Sequence, residues 1–142
     1  MTEIKKCLIE YIDKISEIDK ISSSYNWTKQ MFIDEINNEK TVFNVLFVDE
    51  HIAGYIVYHI VIDEAEILNI VIDEKFKKKG YGTYLLKNTI EDLHNKNIKT
   101  VFLEVGEKNI AAISLYKNWG FKKYNIRENY YKNGENAILM KK

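Results

Sequence analysis

Ile70-Val71-Ile72-Asp73-Glu74-Lys75-Phe76-Lys77-Lys78-Lys79-Gly80-Tyr81-Gly82-Thr83 is the stretch on which the reading of the fold turns. It begins as the tail of an apolar run, Ala65 to Asp73, that reads as a strand, and it passes into a lysine- and glycine-containing loop, Glu74 to Gly82. Beyond it, Leu85, Leu86, Ile90 and Leu93 recur at helical spacing, so a helix is expected from Thr83 to about Lys96. A strand feeding a helix through two glycines gathers backbone N–H groups and the positive end of the helix dipole at one point, which suits a diphosphate. Lys77, Lys78 and Lys79 add local positive charge. The loop is not a Walker motif, because no Gly-Lys-Ser/Thr follows, and Leu85 stands where a dinucleotide fingerprint has its third glycine. A solvated lysine run beside a tight turn has the same composition, so the loop alone leaves both readings open.

Upstream, Ile4 to Ile12 reads as a strand, and Ile15, Ile18 and Ile21 mark a short amphipathic helix from Asp13 to Ile21, broken by Ser22, Ser23 and Ser24. Thr28 is an N-cap candidate for a helix from Lys29 to Asn37 with Phe32, Ile33 and Ile36 inward. Thr41 to Val48 and His51 to Ile62 form a hairpin across Asp49-Glu50. Downstream, Lys99 to Val105 is a strand and Asn109 to Trp119 a helix that stops at Gly120. Phe121 to Tyr131 and Asn136 to Met140 are final strands around Lys132-Asn133-Gly134. The order β-α-α-β-β-β-α-β-α-β-β predicts an α/β chain with a mixed sheet.

A chain of 142 residues, 46% hydrophobic, fits one domain with a real core. Its 21 basic and 21 acidic residues balance, so no global field draws in nucleic acid or membrane. The lone cysteine, Cys7, excludes an internal disulfide and reads as a buried structural thiol. No apolar run approaches the roughly 20 residues of a membrane span, and Met1 to Lys6 lacks a signal-peptide core. The expectation is a soluble, cytoplasmic protein. His51, His59 and His94 show no metal spacing, and no metal is expected.

A second constellation lies in the C-terminal half: Leu103-Glu104-Val105, then Asn109-Ile110-Ala111-Ala112-Ile113-Ser114-Leu115-Tyr116, then Trp119-Gly120-Phe121. Glu104 is a carboxylate on an otherwise apolar strand. It points to solvent or sits in a site, and alternation does not decide which. Tyr116 is a core tyrosine or a proton donor, since a phenol with a pKa of about 10 can hydrogen-bond or protonate a leaving sulfur.

Taken together, these residues resemble the GNAT acetyltransferases. Lys77-x-x-Gly80-x-Gly82 is similar to their Gln/Arg-x-x-Gly-x-Gly/Ala coenzyme A motif, with lysine at the first position. Asn109-x-x-Ala112-x-x-x-Tyr116 followed by Gly120-Phe121 is similar to their second motif. The resemblance implies a GNAT fold, a sheet of roughly seven strands with helices on both faces, and acetyl-CoA as co-substrate. It implies that the backbone of Ile70, Val71 and Ile72 binds the acetyl and pantetheine amides on a splayed strand. It also implies that Lys77, Lys78, Lys79, Gly80, Tyr81, Gly82 and Thr83 hold the pyrophosphate, and that Asn109 holds the pantetheine arm. Glu104 would be the base and Tyr116 the acid, in direct attack without an acyl-enzyme.

Asp63-Glu64-Ala65, Leu68-Asn69-Ile70, Arg127-Glu128-Asn129-Tyr130-Tyr131 and Ala137-Ile138-Leu139-Met140 extend the resemblance to the ribosomal-protein alanine N-acetyltransferases over nearly the whole chain. That implies a protein N-terminus as acceptor, with Trp27, Tyr130 and Tyr131 beside it and Glu64 or Glu66 as steering charges, in a monomer or weak dimer. The chain departs from that group at Gly106 and Lys108, where arginine and serine are usual, and at Asn26, where proline is usual. An α-amine, with a pKa of about 8 against about 10.4 for lysine, is the easier acceptor at neutral pH. A GNAT enzyme for another amine (lysine, polyamine or amino sugar) and a non-catalytic coenzyme A-binding module are the competing readings.

Overall fold

The computed structural model describes residues 1–23 and 25–142; of the serines read as a helix break, Ser24 lies outside the described residues. Seven strands, β1 (Thr2–Lys6), β2 (Thr41–Val48), β3 (His51–Val61), β4 (Glu64–Ile72), β5 (Thr100–Gly106), β6 (Lys122–Arg127) and β7 (Ala137–Lys141), form one sheet in the order β1-β2-β3-β4-β5-β7-β6. Four α-helices join them: α1 (Ile12–Ser22), α2 (Lys29–Ile36), α3 (Tyr81–Asn95) and α4 (Ile110–Asn118). All ladders are antiparallel except β4 with β5. The expected mixed sheet, element order and strand number are all present, and the largest boundary differences are at the ends of β1 and β6.

Alternation along the central strands supplies two cores. On one face Ile56 and Tyr58 of β3 meet Leu85, Leu86 and Leu93 of α3 and Tyr116 of α4. On the other, Tyr55 and Val57 meet Ile12, Ile15 and Ile18 of α1 and Phe32 of α2. The inward residues read for α2 and α3 hold. In α1, Ile21 is 67% exposed, and Ile12 is buried in its place. Steps of three residues fall 60° short of a full turn each time, so the fourth apolar residue of the series Ile12, Ile15, Ile18, Ile21 has left the face.

The first strand ends earlier than the expected Ile4 to Ile12. After Lys6 pairs with Asn44 the chain leaves the sheet through a 3₁₀ turn, Ile9–Tyr11, and Ile12 opens α1. A run without glycine, proline or asparagine carries no mark of where its partner strand stops. The last hairpin is likewise longer-looped than expected: β6 stops at Arg127, and Tyr130 and Tyr131 lie in the loop that Gly134, at φ +83°, turns back into β7. Cys7 is buried as expected, and burial pushes its thiol up to about 12. No helix of the described residues is long and apolar enough to cross a membrane.

Two irregularities prepare the site. Tyr58 pairs with Ile67 but Val57 pairs with Asn69, so Leu68 is an extra residue and β4 bulges there. The parallel ladder runs from Glu64↔Thr100 only to Ile67↔Leu103, and beyond it β4 and β5 part. Gly54 keeps β4 on its own side of the parting: a Cβ there would stand 2.5 Å from the Val71 carbonyl oxygen and 3.2 Å from the Ile72 Cα. Because the obstruction is backbone, Gly54→Ala is expected to destabilise the fold by about 1–3 kcal/mol, read from the midpoint of urea unfolding at unchanged slope.

Candidate active site

The parting of β4 and β5 gathers the candidate residues from both halves of the chain. On its β4 side, Ile70, Val71 and Ile72 pair with Ile56, Tyr55 and Gly54 of β3, and their strand has no ladder to β5 at this level. Beyond Ile72, the loop through Lys75 and Phe76 delivers Gly80 at φ +86° as the residue before α3. No side chain caps that helix end, which leaves the N–H groups of its first turn, Tyr81, Gly82 and Thr83, free of intrahelical acceptors. A Cβ at Gly82 would lie 3.7 Å from Leu115 and 3.8 Å from Ile72, so α3, α4 and β4 meet closely there. Lys78 and Lys79 are exposed beside this helix end. Lys77 is engaged elsewhere, with Nζ 3.0 Å from Glu74 and donating to the Ser22 carbonyl at 3.3 Å.

Coenzyme A would find here an uncapped helix N-terminus and two lysines for its pyrophosphate, and an unpaired strand edge for its amides. The donor set fits that ligand. Asn109 caps α4, its Oδ1 accepting from the Ala112 N–H at 3.2 Å, at the opposite lip.

Glu104 lies on the β5 side, one residue beyond the last ladder pair, between the inward Leu103 and Val105. It therefore faces away from α3 and α4, which settles the side left open by alternation. Its Oε1 is 3.2 Å from Nη1 of Arg127, the chain's sole arginine, whose guanidinium lies 5.4 Å from the Tyr130 ring centre. The Tyr130 hydroxyl also faces Glu104, and that carboxylate is the first cause of the phenol's upward shift.

Tyr116 comes from the other face of the sheet. It is 5% exposed, packs edge-on to Phe121 at 5.8 Å, and is held protonated first by burial and then by Tyr131. The Tyr131 phenol is itself raised, mainly by burial and next by the Glu104 charge.

The upstream aromatics divide. Trp27 packs on Phe32 at 5.2 Å, and its backbone N–H donates to Asp19 Oδ2 at 2.9 Å. The ring from this segment that meets Tyr131 is Tyr25, stacked at 3.9 Å and 19°. Sequence reasoning did not single out Tyr25, Glu135, Asp19 or the Arg127 pairing. An aromatic two residues before Trp27 was the one available hint. Asp19 is fully buried and accepts from the Tyr55 hydroxyl at 2.7 Å, and Tyr55 accepts from Asn69 Nδ2 at 2.8 Å. This chain of bonds ties α1 and the start of α2 to the bulged part of β4.

An open mixed sheet whose central strands part beside an uncapped helix end is the fold of the GNAT class of acetyltransferases. The acetyltransferase (GNAT) family model matches residues 12–121, and the chain belongs to that family. It is an acetyl-CoA-dependent N-acetyltransferase.

Among its relatives, the [ribosomal protein bS18]-alanine N-acetyltransferase of Salmonella typhimurium is 33% identical over 127 residues, 87% of this chain and 85% of that protein. The crystal structure of the ribosomal-protein-S18-alanine N-acetyltransferase from Escherichia coli superposes with a TM-score of 0.93 at 30% identity, covering 99% of this chain and 92% of that one. Ard1 from Thermoplasma volcanium gives 0.92 at 28%, covering 99% and 96%.

Replacing Asp19 by Ala would strip the acceptor from a buried phenol and a backbone N–H. The expected loss is on the order of 1–3 kcal/mol, read by chemical unfolding, with Asp19→Asn recovering part of it.

Proposed function

We propose that this enzyme acetylates the N-terminal α-amine of a protein, with alanine as first residue and a ribosomal protein as the acceptor, as the names of its relatives suggest. The observation that carries the reading is the placement of Glu104 and Tyr116 on opposite faces of the sheet where β4 and β5 part. The amine approaches on the face of Glu104, and acetyl-CoA binds along the β4 edge and the α3 N-terminus through Ile70, Val71, Ile72, Lys78, Lys79, Gly80, Tyr81, Gly82 and Thr83. Asn109 borders the pantetheine arm. Trp27, Tyr130 and Tyr131 border the acceptor, with Tyr25 beside them.

In the reaction the amine nitrogen forms a bond to the acetyl carbon and the carbon–sulfur bond breaks. Glu104 takes the amine proton, directly or through water, and Tyr116 hydrogen-bonds or protonates the departing sulfur. The burial that keeps Tyr116 protonated suits it to the sulfur, because a phenol held above its ordinary value remains a donor across the working pH range. Arg127 beside Glu104 balances the carboxylate before the cationic amine arrives. Direct attack needs both substrates bound together.

Tyr116→Phe is expected to lower kcat by roughly 10²–10⁴ while acetyl-CoA binding survives; a fully active variant would leave Tyr116 a packing residue. Glu104→Gln is expected to lose rate mainly near neutral pH and to recover partly above the α-amine pKa of about 8, where the amine is already neutral. An equal loss at every pH would remove Glu104 as base. The acceptor is tested by thiol release from acetyl-CoA with two peptides, one beginning with a free alanine and containing a lysine, the other blocked at its N-terminus. Release with the first alone, and mass-spectrometric location of the acetyl group on alanine, is the expected result. Release with both would make it a lysine enzyme.

A further inference from the structure

Gly106 ends β5 two residues after Glu104. Residues two apart on a strand share a face, so the absent side chain at 106 would project beside Glu104. A Cβ built there would stand 2.1 Å from the Tyr25 hydroxyl and 2.3 Å from Glu135 Oε2. Both side chains thus occupy the space that any other residue would claim.

Glu135 is only 8% exposed and links separate segments at this point. Its carboxylate accepts the Lys108 N–H at 3.0 Å, its own N–H donates to Asn133 Oδ1 at 2.9 Å, and its carbonyl accepts the Tyr131 N–H at 3.2 Å. Those contacts hold the carboxylate below its ordinary range, the Lys108 N–H first and the Tyr25 hydroxyl next. Tyr25, brought from the segment before α2, faces this carboxylate with its hydroxyl and stacks on Tyr131 with its ring. Tyr131 in turn meets Tyr130 edge-on at 5.1 Å, and Tyr130 faces Glu104. An unbroken aromatic wall therefore runs from Gly106 to Glu104.

We propose that Gly106 is a specificity-determining position: lacking a side chain, it lets Tyr25 and Glu135 clasp across the end of β5 and narrow the acceptor entrance to amines that carry a small first side chain. The inference rests on the acceptor side assigned above. Tyr25 and Glu135 are positioning residues here; they act through Tyr131 and Tyr130 on the space beside Glu104. The clasp is separable from the fold. Gly106 has no positive φ, so alanine is compatible with its backbone, and the atoms it would displace are the ends of two side chains that can swing away.

The test compares wild type, Gly106→Ala, Tyr25→Phe and Glu135→Gln on one acceptor panel: peptides beginning with alanine, serine and leucine, an N-terminally blocked lysine peptide, and spermidine. Fluorotyrosine labelling adds a ¹⁹F resonance for Tyr25, assigned by its loss in Tyr25→Phe. In Gly106→Ala the Tyr25 resonance is expected to move. KM for the alanine peptide should rise about tenfold or more and discrimination against leucine should fall, with KM for acetyl-CoA and Tm held. Tyr25→Phe should show the same trend more weakly, and Glu135→Gln, which keeps an acceptor for the Lys108 N–H, should stay near wild type.

An unmoved resonance, an unchanged acceptor profile, or a loss spread equally over acetyl-CoA KM and Tm would overturn the proposal. If wild type takes the lysine peptide or spermidine and no free N-terminus, the N-terminal reading fails. The clasp is then judged by whether Gly106→Ala alters KM for that amine.

Discussion

The separation of β4 from β5 is the constraint on which the rest of the structure depends. A parallel ladder that stops at Ile67↔Leu103 leaves two strand ends inside a sheet without each other as partners. Backbone N–H and C=O groups at such a place need acceptors and donors from elsewhere. In this chain the Ile70–Ile72 edge of β4 faces the gap from one side, and Glu104 of β5 stands across it. The bulge at Leu68 begins the divergence, and it places Leu68 and Asn69 on the same face, where Asn69 reaches the Tyr55 hydroxyl. A straight β4 would keep the ladder and close the gap.

Two cores on opposite faces hold this opening rigid. α3 and α4 are packed on one face by Leu85, Leu86, Leu93 and Tyr116, and α1 and α2 on the other by Ile12, Ile15, Ile18 and Phe32. The α3 N-terminus, where anionic groups are favoured, is thereby fixed beside the β4 edge. The same arrangement gives Glu104 and Tyr116 different surroundings. Tyr116 is enclosed by the α3–α4 core, whereas Glu104 faces away from that core and pairs with Arg127. Burial keeps the Tyr116 phenol protonated, while the partly exposed Glu104 carboxylate has the Arg127 guanidinium beside it.

Polar groups tie the loops around the opening. Asp19 accepts from Tyr55 and from the Trp27 backbone, joining α1 and the approach to α2 to the central strands. Glu135 joins the β6–β7 loop to the β5–α4 loop through Lys108 and meets Tyr25 from the same approach to α2. Buried carboxylates of this kind are tolerable only when hydrogen-bonded, and each of the two has several partners. They give three irregular segments a definite geometry that apolar contacts, being non-directional, would not supply.

Much of this was legible in the chain itself. The apolar periods of α2 and α3, the turn at Asp49-Glu50, the glycine loop and the spacing from Asn109 to Tyr116 are local patterns, and local patterns act within a few residues. They suffice for the element order, for the mixed sheet and for Glu104 and Tyr116 as candidates. The end of β1 and the early stop of β6 were not legible, because a strand ends where its partner does. Nor was the side of the sheet on which Glu104 lies, since both faces of β5 read as apolar. The meeting of Tyr25, Gly106 and Glu135 joins residues from three distant segments, and no spacing rule spans such separations. Sequence alone determined which elements form and which residue types they carry; the tertiary structure decided which of them meet, because register, bulge and the parting of two strands are properties of paired chains and not of any one segment.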